Sequence, residues 1–206
     1  MDKQARFWDK VAKKYSKQAI NDLPAYERKL KTTQAYFSPE STALEIGCGT
    51  GSTAIVHAPF VKHYRATDLS ANMIAIAHSK IGDELKDKLT FEQSSIDALK
   101  VSEPVDMVLA LSLLHLLENK DETMAKIYGW LKPGGVFVSS TVCIADSKKW
   151  FKFIAPIGYL LGLFPLLRVF TAAELKHSLL AQGFAIEHEW QPNTGMSVFI
   201  VARKPQ

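Results

Sequence analysis

The most informative stretch is LEIGCGTGS, Leu44–Ser52, in which an apolar run passes through one glutamate into three glycines at alternate positions. Such a pattern is typical of a buried β-strand that ends in a tight turn and leads into a helix. Gly47, Gly49 and Gly51 have no Cβ, so the backbone can approach a ligand that a side chain would hold off. The following helix begins near Ser52, and its first amides suit a polar or anionic group.

Short apolar runs alternate with helical patterns along the rest of the chain. We expect strands over 42–46, 63–67, 89–93, 106–111 and 135–141, and helices over 7–15, 23–37, 52–60, 71–81 and 120–131. This alternation predicts a doubly wound α/β sheet with right-handed crossovers and helices on both faces. Runs over 184–190 and 197–203, joined by the turn residues Pro192, Asn193 and Gly195, predict a C-terminal antiparallel hairpin, for seven strands in all.

Charge and composition exclude several classes of protein. The net charge is only +4, and the excess of basic over acidic side chains is concentrated at 1–31, so we expect no nucleic-acid partner. Cys48 and Cys143 have no paired spacing, which excludes a disulfide framework and a cysteine zinc site. The N-terminus is charged where a signal peptide would be apolar, and no apolar run reaches about 20 residues, so we expect a cytoplasmic protein.

Asp68, in RATDLS, is a second acid, at the end of the predicted strand that follows the glycine turn. In a nucleotide-binding sheet, a carboxylate at this place accepts hydrogen bonds from both ribose hydroxyls. Asp68 could also cap the helix that starts at Ala71, although Ser70 is better placed for capping. The spacing from Gly51 favours the ribose role.

These segments together resemble the class I S-adenosylmethionine-dependent methyltransferases of the small-molecule type, over roughly residues 7–204. The resemblance implies a Rossmann-like fold. The segments that carry it are LEIGCGTG for the first motif, TDLSANMI for the second, FEQSSIDAL for the third, VDMVLALSLLHLL for the fourth strand, WLKPGGVFV for the turn into the fifth, SVFIVARK for the last strand, and FWDKVAKKYSK for a helix that closes over the cofactor.

The resemblance implies S-adenosylmethionine as cofactor and S-adenosylhomocysteine as product. The glycine turn is expected under the methionine part of the cofactor, Glu45 near its amino group and Asp68 on its ribose. The family usually has Asp where this chain has Ser95, so the adenine contact stays open between Ser95, Ile96 and Asp97. The expected cofactor-binding residues are Glu45, Gly47, Gly49, Gly51, Asp68, Leu69, Met73, Ser95, Ile96, Leu111 and Tyr15.

The resemblance also implies how the chain divides. We expect a single methyltransferase domain over 1–206. Its parts are an N-terminal helical cap (1–37), a cofactor-binding core (42–141), an apolar lid or insertion (145–175) and a C-terminal helix and hairpin (176–206).

Two rival functions share the expected fold. Gly49, Gly51 and Ala54 also satisfy the G-x-G-x-x-A pattern of nicotinamide-dependent oxidoreductases, but such a pattern alone is weak. Glu45, the late position of the glycine turn and the C-terminal hairpin all count against that rival. The other alternative is a regulatory or scaffolding protein that binds the cofactor without turnover.

His115, in LSLLHLLEN just after the fourth strand, is the one candidate for a general base, because an acceptor would lie on that side of the pocket. An ordinary histidine pKa near 6.5 would suit either a base or a polar wall. The other histidines show no spacing of metal ligands, so we expect no metal.

Residues 153–167 hold no charge and are interrupted by Pro156, Gly158, Gly162 and Pro165. Three interpretations compete: a buried core helix, a lid over an apolar acceptor, and a dimer interface. Basic residues on both flanks favour an apolar or amphiphilic small-molecule acceptor and contact with a membrane surface. The oligomeric state stays open between monomer and homodimer.

Overall fold

The computed structural model describes residues 3–192 and 197–206. Its helices are α1 (Lys3–Tyr15), α2 (Leu23–Gln34), α3 (Ser52–His57), α4 (Ala71–His78), α5 (Lys120–Trp130), α6 (Phe151–Leu160) and α7 (Ala172–Ala181). Its strands are β1 (Thr42–Ile46), β2 (His63–Asp68), β3 (Leu89–Gln93), β4 (Val105–Leu111), β5 (Leu131–Val142), β6 (Ala185–Trp190) and β7 (Ser197–Arg203). They form one sheet in the order β3-β2-β1-β4-β5-β7-β6, which confirms the predicted α/β class and the C-terminal antiparallel hairpin.

The chain divides into two compact units, Met1–Leu109 and Ala110–Gln206. In the first unit, β1 pairs in parallel with β2 and with β4, and β2 pairs in parallel with β3. Four of the five residues of β1 are buried, as expected for a parallel strand covered on both faces. Ile46 pairs with Thr67, so β1 and β2 end side by side and the glycine turn begins next to Asp68.

Three helices of the first unit, α2, α3 and α4, end three residues earlier than predicted. After α2 and α4, the amides of Phe37 and Ile81 bond to carbonyls three residues back, so each helix tightens into a turn. The start of α4 is as predicted, because the Ser70 hydroxyl accepts a hydrogen bond from the Met73 amide at 3.1 Å.

In the second unit, β7 pairs antiparallel with both β5 and β6. The expectation that β5 begins after a Pro-Gly-Gly turn is wrong, since the strand already starts at Leu131. Gly134, in the left-handed region, donates its amide to the Lys204 carbonyl at 2.9 Å, and its carbonyl accepts from Arg203 Nη1 at 2.6 Å. The predicted turn residues Asn193 and Gly195 lie outside the described residues.

Helix α6 shows that the apolar segment is not a buried core helix. Phe153 and Leu160 are 69% and 76% exposed, whereas the buried residues of α6 are the small Ala155 and Gly158. Pro156 lies inside the helix. No helix within the described ranges combines the length and the apolarity that a membrane crossing requires.

Candidate functional site

The glycine turn adopts a backbone that only glycine accepts easily. Gly47, Gly49 and Gly51 have φ angles of +68°, +54° and +73°, in the left-handed region. A Cβ at Gly51 would also collide with the Phe91 ring and lie 2.8 Å from the Ala77 Cβ. The turn therefore depends on glycine for both its dihedral angles and its packing.

Asp68 holds the turn in place from the end of β2. The Gly49 amide donates to Asp68 Oδ2 at 2.9 Å, and the Ser70 amide donates to Oδ1 at 2.9 Å. Burial raises the pKa of Asp68, and backbone hydrogen bonds from Ser70, Gly49 and Leu69 oppose that rise. A carboxylate offers about four acceptor sites, more than these three amides use, so the ribose role of Asp68 remains a prediction compatible with this geometry.

Glu45 is the other acid of the site, and it is only 2% exposed at the end of β1. The Tyr64 hydroxyl donates to Glu45 Oε2 at 2.8 Å. Burial raises the pKa of Glu45 to about 7, the Tyr64 hydrogen bond opposes this rise, and the nearby charge of Asp68 adds to it. Glu45 is therefore poised to change its charge when a cation arrives.

No cation of the protein compensates these two acids. Within the part of the chain that the structure describes, neither Glu45 nor Asp68 forms an ion pair. Buried carboxylates without a cationic partner are costly, so the site favours a ligand that carries positive charge. The ammonium and sulfonium groups of S-adenosylmethionine meet this need, and the residues present therefore fit that cofactor.

Tyr15, at the end of α1, lies beside the turn. A Cβ at Gly49 would be 3.8 Å from the Tyr15 ring, and burial together with the charge of Asp68 raises the pKa of the Tyr15 hydroxyl. Asp9 fastens α1 there, since its Oδ1 accepts from the Ser70 hydroxyl at 2.6 Å and from the Asn72 amide at 3.0 Å. Sequence reasoning missed Asp9, whose one signal is that it is the single acid of α1.

Lys80 is a second residue that sequence reasoning missed. Its Nζ donates to the Thr50 carbonyl at 2.9 Å and to the Ser52 hydroxyl at 3.0 Å. The side chain therefore ties the end of the glycine turn to the first residue of α3. Nothing in the sequence pattern marks it, because the contact joins positions far apart in the chain.

The remaining predicted cofactor contacts of the first unit differ in exposure. Leu69 and Ile96 are half-buried, Ser95 is exposed, and Met73 is buried in the core. The Ser95 hydroxyl accepts from the Ala98 amide at 3.2 Å, which shapes the loop after β3. We expect Met73 to support the cofactor site from the core, and Leu69, Ser95 and Ile96 to contact the cofactor directly.

Two predicted site residues, Leu111 and His115, belong to the second unit. Leu111 is half-buried at the end of β4, and His115 is buried in the short helix Leu114–Leu116. Burial lowers the pKa of His115 to about 4, which corrects the expectation of an ordinary value. Ser112, which the sequence did not single out, has a φ of +59°, an uncommon angle outside glycine that is often found at functional sites.

Neither cysteine is an activated nucleophile. Burial raises the pKa of the Cys48 thiol far above its usual range and that of Cys143 to about 12, so both stay protonated. Across residues 3–192 and 197–206, no three His, Cys, Asp or Glu side chains are grouped so as to hold a metal ion.

Comparison with known proteins finds similarity to methyltransferases. The methyltransferase domain family matches residues 44–137. Malonyl-[acyl-carrier protein] O-methyltransferase of Priestia megaterium is 30% identical over 133 residues, which cover 64% of this chain and 44% of that protein. Demethylmenaquinone methyltransferase of Leptospira interrogans is 28% identical over 177 residues, covering 75% of this chain and 69% of that protein. This chain thus spans less than half of the Priestia relative.

A solved structure shares the fold over almost its full length. The S-adenosylmethionine dependent methyltransferase from Mesorhizobium loti superposes with a TM-score of 0.69 at 21% identity, covering 85% of this chain and 96% of that one. The antiparallel β5-β7-β6 arrangement, which counted against an oxidoreductase, is present as well. Residues 44–137 therefore match the methyltransferase domain family, and the chain shares the fold of a solved methyltransferase.

Proposed function

We propose that this chain transfers the methyl group of S-adenosylmethionine to a small apolar or amphiphilic acceptor. The observation that carries the cofactor part is the pair of buried carboxylates, Glu45 and Asp68, beside a turn that requires glycine at Gly51. Glu45 lacks a cationic partner in the described residues, and the cofactor carries an ammonium group.

Each residue has one role in this proposal. Glu45 accepts hydrogen bonds from the cofactor's ammonium group, and Asp68 accepts from its ribose hydroxyls. The loop at Ser95 and Ile96 holds the adenine. Tyr15, held by the contacts of α1 with the start of α4, shields the glycine turn from water.

When bound, the cofactor supplies an electrophilic methyl carbon on its sulfonium. The protein then has to align an acceptor and exclude water, which needs no acid or base unless the acceptor arrives protonated and weakly acidic. In this proposal Leu111 is a cofactor contact, and His115 faces the acceptor. With a pKa of about 4, His115 is a neutral hydrogen-bonding wall near pH 7 and only a weak base.

Two observations support the acceptor class. The segment 153–167 carries no charge and exposes large apolar side chains such as Leu160, which is unusual for a solvated loop. The Leptospira relative is named for a quinone precursor, demethylmenaquinone. An amphiphilic acceptor of this kind is met at a membrane surface rather than in bulk water.

Calorimetric titration tests the proposal. We expect micromolar binding of S-adenosylmethionine and S-adenosylhomocysteine, no binding of NAD, and loss of binding in Asp68→Ala. Asp83→Ala is the matched control, because Asp83 is exposed and its carboxylate pairs with Lys86. A folded protein that binds neither compound would refute the cofactor assignment. Binding without methylation of any quinol or phenol acceptor would favour the regulatory alternative.

A further inference from the structure

Helix α6 and the turn after it present apolar side chains to solvent. Seven of the thirteen large apolar residues exposed in the described chain lie between residues 150 and 163. Phe153, Leu160, Leu161 and Leu163 are 69%, 76%, 66% and 66% exposed. Exposed residues recur in α6 at the spacing of one helical face, whereas its buried residues are small. We call this surface, over 150–163, the apolar face.

The packing beneath α6 keeps these side chains outside. The amides of Leu163 and Phe164 donate to the Gly158 carbonyl at 2.9 and 3.3 Å, so the chain folds back under the helix. The Phe164 ring lies against Gly158, where a Cβ would collide with it, and is 6.0 Å from the Phe151 ring. Because the underside is already filled, the exposed face has no room to turn inward.

Positive charge surrounds the apolar face. Lys148, Lys149, Lys152 and Arg168 are all exposed, and no acidic residue occurs between Asp146 and Glu174. None of the four cations forms an ion pair within residues 3–192 and 197–206. A net basic rim around an apolar surface is complementary to anionic lipid.

We propose that the apolar face binds the surface of a membrane that contains anionic phospholipid. The ten residues of α6 extend about 15 Å, half of what a crossing requires, so the helix lies in the interface plane. A second copy is a poorer occupant, because a two-fold contact would bring four cations from each copy together. The inference goes beyond methyl transfer, since neither Glu45 nor Asp68 takes part in it.

Sedimentation with vesicles of phosphatidylglycerol and phosphatidylcholine, against vesicles of phosphatidylcholine alone, measures this binding. We expect binding to the anionic vesicles that weakens as NaCl rises, since each cation contributes about fivefold near such a surface. Phe153→Asp and Leu160→Asp should each reduce binding about 10- to 100-fold, the effect of keeping one large apolar side chain out of the lipid.

Leu180→Asp is the matched control, because Leu180 is 56% exposed on α7, outside the apolar face. It should bind vesicles like the unaltered protein. Brominated phosphatidylglycerol should quench the tryptophan fluorescence of the unaltered protein more than that of Trp150→Phe. This difference would place Trp150, and with it the apolar face, in the lipid. All variants should keep calorimetric binding of S-adenosylmethionine, so a failed cofactor site and a failed membrane site give different results.

Three outcomes would overturn the proposal. The unaltered protein could stay in the supernatant with anionic vesicles at low salt. Leu180→Asp could lose as much binding as Phe153→Asp. Sedimentation without vesicles could show a dimer that Phe153→Asp dissociates, which would make a second copy the occupant.

Discussion

Replacing Tyr64 by phenylalanine tests whether the charge of Glu45 controls cofactor binding. Tyr64 is fully buried, and its hydroxyl donates to Glu45 at 2.8 Å. A hydrogen bond to a charged group contributes about 1.5–3 kcal/mol, and one pH unit of pKa corresponds to about 1.4 kcal/mol. Loss of the hydroxyl therefore raises the pKa of Glu45 from about 7 to about 8–9.

Only ionised Glu45 pairs with an ammonium group, so the size of the effect depends on pH. In Tyr64→Phe the affinity for S-adenosylmethionine should fall about 5- to 50-fold at pH 7 and about twofold or less at pH 9. Calorimetry at pH 6, 7, 8 and 9 gives the dissociation constant of Tyr64→Phe divided by that of the unaltered protein at each pH. Titration of the cofactor's own amino group cancels in that ratio.

Glu45→Gln supplies the control for Tyr64→Phe. With no carboxylate to stabilise, the further change Tyr64→Phe should leave the pH dependence of affinity unaltered. The reasoning is refuted if the ratio of dissociation constants for Tyr64→Phe is constant between pH 6 and 9. It is also refuted if the hydroxyl matters equally in the Glu45→Gln background.

Three further substitutions or titrations examine other parts of the site. Gly51→Ala should lower the free energy of unfolding by about 2–5 kcal/mol through backbone strain and overpacking. The control Gly129→Ala, in an open helical position, should raise it by about 0.5–1 kcal/mol. Equal urea midpoints for the two variants would contradict this expectation. Asp9→Ala should speed hydrogen exchange of the α1 amides, and unchanged exchange would mean that its hydrogen bonds do not hold the helix. Because burial lowers the pKa of His115 to about 4, its ring resonances should not titrate between pH 5.5 and 8, and a midpoint near 6.5 would show the imidazole to be solvated.

Much of the sheet could be predicted because its strands are short apolar runs with clear ends. The predicted bounds of β1, β3 and β7 match the structure residue for residue. The start of β5 could not be predicted, since Pro-Gly-Gly has the composition of a turn. Hydrogen bonds of Gly134 and Gly135 with Lys204, between distant parts of the sequence, extend the strand through it.

The residues of the candidate site also fall into two groups, those that the sequence indicates and those that only the structure reveals. Gly51, Glu45 and Asp68 could be found from sequence, because their spacing and residue types are local. The residues that hold them could not, because Tyr64 reaches Glu45 from the next strand and Asp9 reaches Ser70 from a helix near the start of the chain. Such contacts depend on how strands and helices come together, which a single sequence does not display. The low pKa of His115 likewise depends on a burial that only the fold provides.

The raised pKa of Glu45 links stability to binding. The carboxyl has a pKa of about 7 when folded and about 4.5 when unfolded, so between these values the folded state binds more protons. Stability therefore falls as pH rises through this window, by an amount on the order of 3 kcal/mol. Above pH 7 the ligand-free protein keeps a buried negative charge without a cationic partner, and a cationic cofactor relieves that cost when it binds. The cost of burying ionised Glu45 thus lowers the stability of the ligand-free protein, and its relief on binding favours the cofactor. Glu45→Gln should therefore lose both the pH-dependent fall in stability and this contribution to affinity.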